Sequence, residues 1–195
     1  LYPGATALAL NKPVPKDVEY KPDPILVGGL MPPTAVAYCF IGQDMPADYL
    51  PDARRDGTPC EWGDRESKTE VYVVGGSHAE QWMSGLDRLG REMHFKIIPM
   101  LRQGCPIELG EDLTVTPECH EWGEMVTERI LDADPALVIS NTTRPSGPLG
   151  EGPDYVPAGY AEFWKQLADA KIPFMGLRDN PWGFDDAGKG REFDE

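Results

Sequence analysis

Apolar and polar positions follow two regimes along the chain. Through residues 1–69, apolar side chains are scattered among prolines and turn formers, as in Lys12-Pro13-Val14-Pro15 and Met31-Pro32-Pro33, and no helical period lasts three turns. This predicts an extended arm packed over a later core, anchored by Tyr20, Tyr38, Phe40, Tyr49 and Trp62. A disordered segment would carry fewer aromatics. From residue 70 the pattern turns regular and continues to 195 as one folded unit. Glu70-Val71-Tyr72-Val73-Val74 is a short β-branched run closed by Gly75-Gly76 and predicts a buried strand. Ala79, Trp82, Met83, Leu86, Leu89 and Met93 recur at three- and four-residue spacing, one face of a helix. Residues 95–101, 136–140 and 172–177 read as further strands. Helices are predicted around Trp122–Ile130 and Tyr160–Ala168, and a Pro/Gly loop through 145–158.

Strands that alternate with amphipathic helices imply right-handed βαβ units and a parallel sheet. The expected architecture is a three-layer α/β/α sandwich of flavodoxin-like type. In such sheets, active groups gather outside the carboxyl ends of the strands. Four segments are predicted to meet there: Gly75–His78, Arg102–Pro106, Asn141–Arg144 and Arg178–Pro181.

With 195 residues and 41% hydrophobic content, the chain can bury a full core. Its longest apolar run falls far short of a membrane span, and no signal peptide opens it. If the domain works outside the cytoplasm, its export signal or anchor lies outside this sequence. The polar stretch 185–192 reads as an interior loop reached by truncation. The 33 Asp and Glu outnumber the 18 Lys and Arg, for a formal charge of −15. The nearest approach to a basic cluster, Arg54-Arg55, is cut off by Asp56, which disfavours nucleic-acid binding, and no nucleic-acid partner is expected. A neutral acceptor such as a sugar hydroxyl fits the charge better, although an acidic surface also serves solubility alone.

There are four cysteines, Cys39, Cys60, Cys105 and Cys119, and none forms a Cys-x-x-Cys. A zinc or thioredoxin-type site is therefore not expected. An even count suggests two disulfides in an oxidising compartment, against four buried thiols in a reducing one. Of the three possible pairings, Cys39–Cys60 with Cys105–Cys119 closes two short Pro/Gly-containing loops and is the pairing expected. No cofactor is called for.

Ser77 stands just after a strand and before a helix, so its hydroxyl should emerge at the sheet edge, where a nucleophilic serine is useful. The alternative is that Ser77 only caps the helix. The turn is neither Gly-x-Ser-x-Gly nor Gly-x-Gly-x-x-Gly, which disfavours an α/β-hydrolase elbow and a dinucleotide site.

Val-Val-Gly-Gly-Ser-His-Ala-Glu-Gln-Trp (73–82) resembles the Gly-Asp-Ser-His-Ala-x-Gln-Trp block that opens SGNH domains fused to acyltransferase-3 membrane domains. Four further blocks follow the family's order. Cys60-Glu61-Trp62-Gly63-Asp64 resembles its Cys-x-x-Gly-Asp, and Arg102-Gln103-Gly104-Cys105-Pro106 its Gly-Cys-Pro loop. Cys119-His120-Glu121-Trp122 resembles its Cys-x-x-Trp helix start, and Leu177-Arg178-Asp179-Asn180-Pro181 its Arg-Asp-x-Pro strand end. The resemblance spans residues 60–182. It implies an SGNH-type sandwich, incomplete at its C-terminal end. It also implies an extracytoplasmic serine O-acyltransferase or esterase, tethered to the plasma membrane in the full-length protein. Such a domain would take an acyl group, often acetyl, from a membrane acyltransferase-3 domain and pass it to a cell-envelope glycan or glycolipid. Ser77 falls on the nucleophile, and the Ser77 and Gly104 N–H groups with Asn141 would form the oxyanion hole; the alternative for Asn141 is a turn asparagine.

Two departures stand out. The family's Asp before the serine is Gly76, and its Asp-x-x-His block has no counterpart in the sequence. Of the three histidines, His78 is expected to point away from the site, His94 to lie at the opposite edge, and His120 to play a structural part beside Cys119. The general base is therefore expected on a further C-terminal segment. The competing reading is a catalytically inert SGNH-like module that binds a glycan for a partner. An unrelated flavodoxin-like binding domain would need a phosphate cradle that the sequence does not contain.

Overall fold

Six strands form the central sheet, and the innermost shows why its sequence is so uniformly apolar. In the computed structural model, which describes residues 31–51, 53–147 and 153–179, β3 (Glu70–Gly75) is paired on both sides. Its side chains alternate between two cores. Tyr72 and Val74 enter one hydrophobic cluster, Val71 and Val73 the other. A strand covered on both faces has no polar side to show, so Val71-Tyr72-Val73-Val74 carries no alternation. Tyr20, residues 1–30 of the arm, Asn180-Pro181 and the stretch 185–192 lie outside the described residues.

The strand order is β1-β4-β3-β5-β8, all parallel, with β1 spanning Phe40–Ile41, β4 Lys96–Arg102, β5 Leu137–Asn141 and β8 Phe174–Leu177. The chain leaves β3 toward β4 and then returns to the other side of β3 at β5. That reversal is a topological switch point, where α/β sheets open a crevice at the strand ends. Helices α2 (Ser77–Glu80) and α3 (Met83–Met93) bury Ala79 and Met83 in the cluster with Val71, Val73, Ile97 and Ile139. Helices α4 (Pro117–Ala133) and α5 (Ala158–Asp169) bury Trp122, Val126, Ile130, Phe163 and Leu167 against Tyr72, Val74 and Val138. The three-layer α/β/α sandwich expected from the sequence is the fold. The first predicted helix is broken at Gln81-Trp82 into α2 and α3. Within the predicted 145–158 loop, β6 (Arg144–Pro145) and β7 (Asp154–Tyr155) pair as an antiparallel ribbon. Among the described residues, no helix is long and apolar enough to cross a membrane.

The segment read as an arm contributes to the sheet. After α1 (Pro33–Val36), β1 pairs with the last two residues of β4, and β2 (Trp62–Gly63) pairs antiparallel with the first two. Both short strands thus lie along one side of β4. A disulfide joins Cys39, just before β1, to Cys60, just before β2, and a second joins Cys105 to Cys119. Loop closure of this size restrains the unfolded chain by about 3 kcal/mol per bridge. Arg102, the last residue of β4, is 1% exposed. Its guanidinium donates to the carbonyls of Pro46 (2.8 Å), Met45 (2.6 Å) and Gln43 (3.4 Å), so a buried charge holds the loop after β1 in place.

Glu80 ties the same segment to α2. Its buried carboxylate accepts from the Thr34 hydroxyl at 2.5 Å and from the Ala35 N–H. Burial pushes its pKa above the ordinary 4.5, outweighing those two hydrogen bonds. A raised folded-state pKa means that the stabilisation is complete below 4.5 and is lost as pH rises through the folded value. In Glu80→Gln the amide oxygen can keep the Ala35 N–H, and the Thr34 hydroxyl can accept from the NH2. Melting temperatures of the two proteins, compared from acid to neutral pH, should therefore shift in favour of the Gln variant as pH rises. A constant difference across that range would show that Glu80 titrates normally.

Candidate active site

The turn after β3 sets the first functional group. Gly75 has φ +130°, a conformation strained for any side chain, and an added Cβ would meet Ala79 Cβ at 3.3 Å. Gly76, at φ −93° and ψ −161°, is the N-cap of α2, and no side chain caps that helix end. Ser77 is therefore the first helical residue, and its hydroxyl is not consumed in capping. The backbone at Gly76 is one that any residue adopts. A Cβ there would sit 3.5 Å from Cys105 N and 3.6 Å from the Arg102 carbonyl, in ordinary contact. An Asp at this position would thus lean on the turn after β4, and Gly76 leaves that support out.

The turn after β4 supplies the second group. Cys105 N–H donates to the Arg102 carbonyl at 3.1 Å, with Gly104 at φ +72° inside the turn. An added Cβ on Gly104 would lie 2.7 Å from Gln43 Nε2, and that loop is the one held by Arg102. The Cys105–Cys119 bridge fastens the turn to the first turn of α4. Asn141 is the last residue of β5, next to Leu177 of β8. It is 8% exposed, and its Nδ2 is buried with no hydrogen-bond partner among the described residues. A buried amide donor left unpaired costs about 1–3 kcal/mol, so a fold keeps one where something else pairs with it.

These three residues line one cleft at the carboxyl edge of the sheet, together with Gly76, His78, Pro106, Thr143, Arg144, Tyr160 and Asp179. Among the described residues, neither the Ser77 N–H nor the Gly104 N–H is taken by a hydrogen bond. A hydroxyl and three unspent donors thus share one crevice at the switch point. Residues 39–189 match the family of SGNH domains fused to AT3 domains. The chain belongs to that family. No curated protein matches it. Among solved structures, it is similar to the periplasmic domain of a lipopolysaccharide acetyltransferase from Salmonella ser. Paratyphi A. That likeness has 11% identity and a TM-score of 0.32, over 65% of this chain and 75% of that one.

The histidines of this SGNH domain fall in three places. His94 ends α3 at φ 59° and pairs with Asp64 at 3.0 Å; it is 81% exposed and stands beside the start of β4, far from the cleft edge. His120, in the first turn of α4, bonds through Nδ1 to the Glu108 carbonyl at 3.2 Å and lies 3.6 Å from Glu124. His78, expected to point away, instead lines the cleft. Its Nδ1 is 2.5 Å from Oδ1 of the buried Asp179, just beyond β8. Asp179 is oriented in turn by its own N–H, which donates to Thr143 Oγ1 at 2.9 Å. Adjacent helical positions point about 100° apart, so His78 and Ser77 do not face each other in the ordinary way.

A second charged group reaches the cleft from the ribbon. Arg144 Nη1 donates to Thr114 Oγ1 at 3.4 Å and lies 3.7 Å from Glu108 Oε1. Glu108 is 0% exposed and accepts from the Thr114 N–H and hydroxyl at 2.7 and 2.6 Å. Tyr160, also on the cleft, is buried, which pushes its phenol well above the ordinary range. Among the described residues, no group of His, Cys, Asp and Glu is placed to hold a metal ion. Sequence reasoning passed over the His78–Asp179 and Arg144–Glu108 pairs. Their partners are far apart in the chain; the strand-end segments brought His78, Arg144 and Asp179 to one edge, and the Arg-Asp-Asn-Pro block marked Asp179, but nothing in the sequence joined the pairs.

Proposed function

We propose that this SGNH domain is a serine O-acyltransferase or esterase that moves acyl groups, acetyl above all, on cell-envelope glycans or glycolipids. The observation that carries the reading is the buried Nδ2 of Asn141, unpartnered among the described residues, in the same cleft as the Ser77 hydroxyl. In this reading Ser77 Oγ attacks the acyl carbonyl and loses its proton to a base. The carbonyl oxygen becomes an oxyanion held by the Ser77 and Gly104 N–H groups and Asn141 Nδ2. Collapse expels the donor's leaving group and leaves acyl-Ser77. A sugar hydroxyl, or water, then attacks the ester, and the serine regains its proton. Fusion of the family to AT3 domains supports a membrane acyltransferase-3 domain as source of the acyl group, and an extracytoplasmic, membrane-tethered site of action.

Gly76 favours the second reading, a catalytically inert module that binds a glycan, because the serine turn lacks the acidic side chain of the family block. Incubation of the full-length protein with 4-nitrophenyl acetate, acid quench and peptide mapping by mass spectrometry separates the two. Acetyl on Ser77 is expected. Its absence from Ser77 at every time point would leave the inert module standing.

A further inference from the structure

The β6–β7 ribbon sets Tyr155 beside Arg144, which lines the cleft. Arg144 and Tyr155 are directly paired across the ribbon, and cross-strand partners of an antiparallel pair project on the same face about 5 Å apart. Tyr155 is 39% exposed, so part of its ring is open to a ligand arriving from solvent. Arg144 is anchored from behind by the buried Glu108 and by Thr114, which engage Nη1. A guanidinium has five N–H donors in a fixed fork, so donors remain for a ligand in the cleft that it lines.

Resting on the reading of Ser77 as acyl carrier, we propose that Arg144 and Tyr155 form the acceptor subsite, and that it takes a neutral sugar. The arginine fork donates to ring hydroxyls that flank the one to be acylated. The tyrosine ring packs against the apolar C–H face of the sugar. Charge decides between a neutral and an anionic sugar. Glu108 already offsets the arginine, Asp179 lies in the same cleft, and the chain carries a formal charge of −15. An added carboxylate or phosphate would meet repulsion, whereas hydroxyl oxygens accept N–H bonds at no such cost. The ribbon is also fixed to the sheet edge. Arg178 Nε donates to Asp154 at 2.6 Å, so the subsite is held at a set distance from the end of β8.

Binding can be read without chemistry. Methyl α-D-glucoside, methyl β-D-galactoside and methyl β-D-glucuronide would each be titrated into the full-length protein carrying Ser77→Ala, with NMR shifts followed. At least one neutral glycoside should bind and shift the Arg144 Nε–H and Tyr155 signals, and the glucuronide should bind more weakly. Loss of a charged-donor hydrogen bond is worth about tenfold in affinity, so Arg144→Lys, which keeps the charge facing Glu108, should weaken the neutral sugar by about that factor. Tyr155→Ala should weaken it too, with the rest of the spectrum intact as proof of fold. Three results would overturn the proposal: tightest binding by the glucuronide, no binding by either neutral glycoside, or neutral binding that neither substitution alters. Because Ser77 is absent throughout, failure of the acyl-carrier reading would appear in the peptide mapping and not here.

Discussion

Ser77→Ala in the full-length protein is expected to lower acetyl-ester turnover by roughly 10⁴-fold or more while leaving the melting temperature nearly unchanged. The two halves of that expectation come from different facts. Turnover falls because the covalent route has no oxygen to form the ester, and only the oxyanion donors and the cleft remain. Stability holds because the Ser77 hydroxyl caps nothing: Gly76 is the N-cap of α2, with no side-chain cap bond. Alanine is also the best helix former at an early helical position. Steady-state hydrolysis of 4-nitrophenyl acetate beside a thermal melt measures both. A large loss of melting temperature would mean that Ser77 is a structural serine. Unchanged turnover would place the nucleophile elsewhere.

Asn141→Ala should cost about 10²–10³-fold in kcat, the usual effect of removing one oxyanion donor. It should cost little stability, and the reason is the unpaired amide. Nδ2 is buried with no partner among the described residues, so the fold surrenders no hydrogen bond from it when it is removed. A donor that earns its place only in a transition state should appear in kcat with KM little changed. Asn141→Asp provides the sharper comparison, since it sets an acceptor of negative charge where the oxyanion forms and should be at least as inactive. If Asn141→Ala lowered the melting temperature strongly and left kcat intact, Asn141 would be a turn asparagine at the end of β5 and no more.

Much of the fold was legible because its signals are local. The run Val71–Val74 reads as a buried strand, and Gly75-Gly76 as the turn that ends it. Helices α4 and α5 declared themselves through Trp122, Val126 and Ile130 and through Phe163 and Leu167. What escaped has a common cause. β1 and β2 are two residues each, too short for any period, and exist because β4 offers them an edge. The break at Gln81-Trp82 leaves the apolar spacing unchanged, so periodicity cannot register it. The candidate site was legible where strand ends define it, at Ser77, Gly104 and Asn141. It was hidden where side chains from distant segments meet. His78 and Asp179 lie 101 positions apart. Arg144 reaches back to Thr114 and Glu108 across a fold that must already exist.

The relay of β2 and β1 along β4 has a consequence for how this protein fails. β4 reads Lys96-Ile97-Ile98-Pro99-Met100-Leu101-Arg102; between the ends that β2 and β1 cover, Pro99 has no N–H to offer, so the pairing groups an intruding strand could use lie mainly at those two ends. Two dipeptide strands give little pairing energy of their own, so their residence leans on the sulfur bridge that ties Cys39 to Cys60, together with the hold of Arg102 and Glu80 on the same segment. In a reducing solution one of these ties is cut, and the two ends of β4 are exposed more often while the rest of the sheet stays paired. The first symptom should then be self-association of otherwise folded molecules, and lost chemistry only a later one.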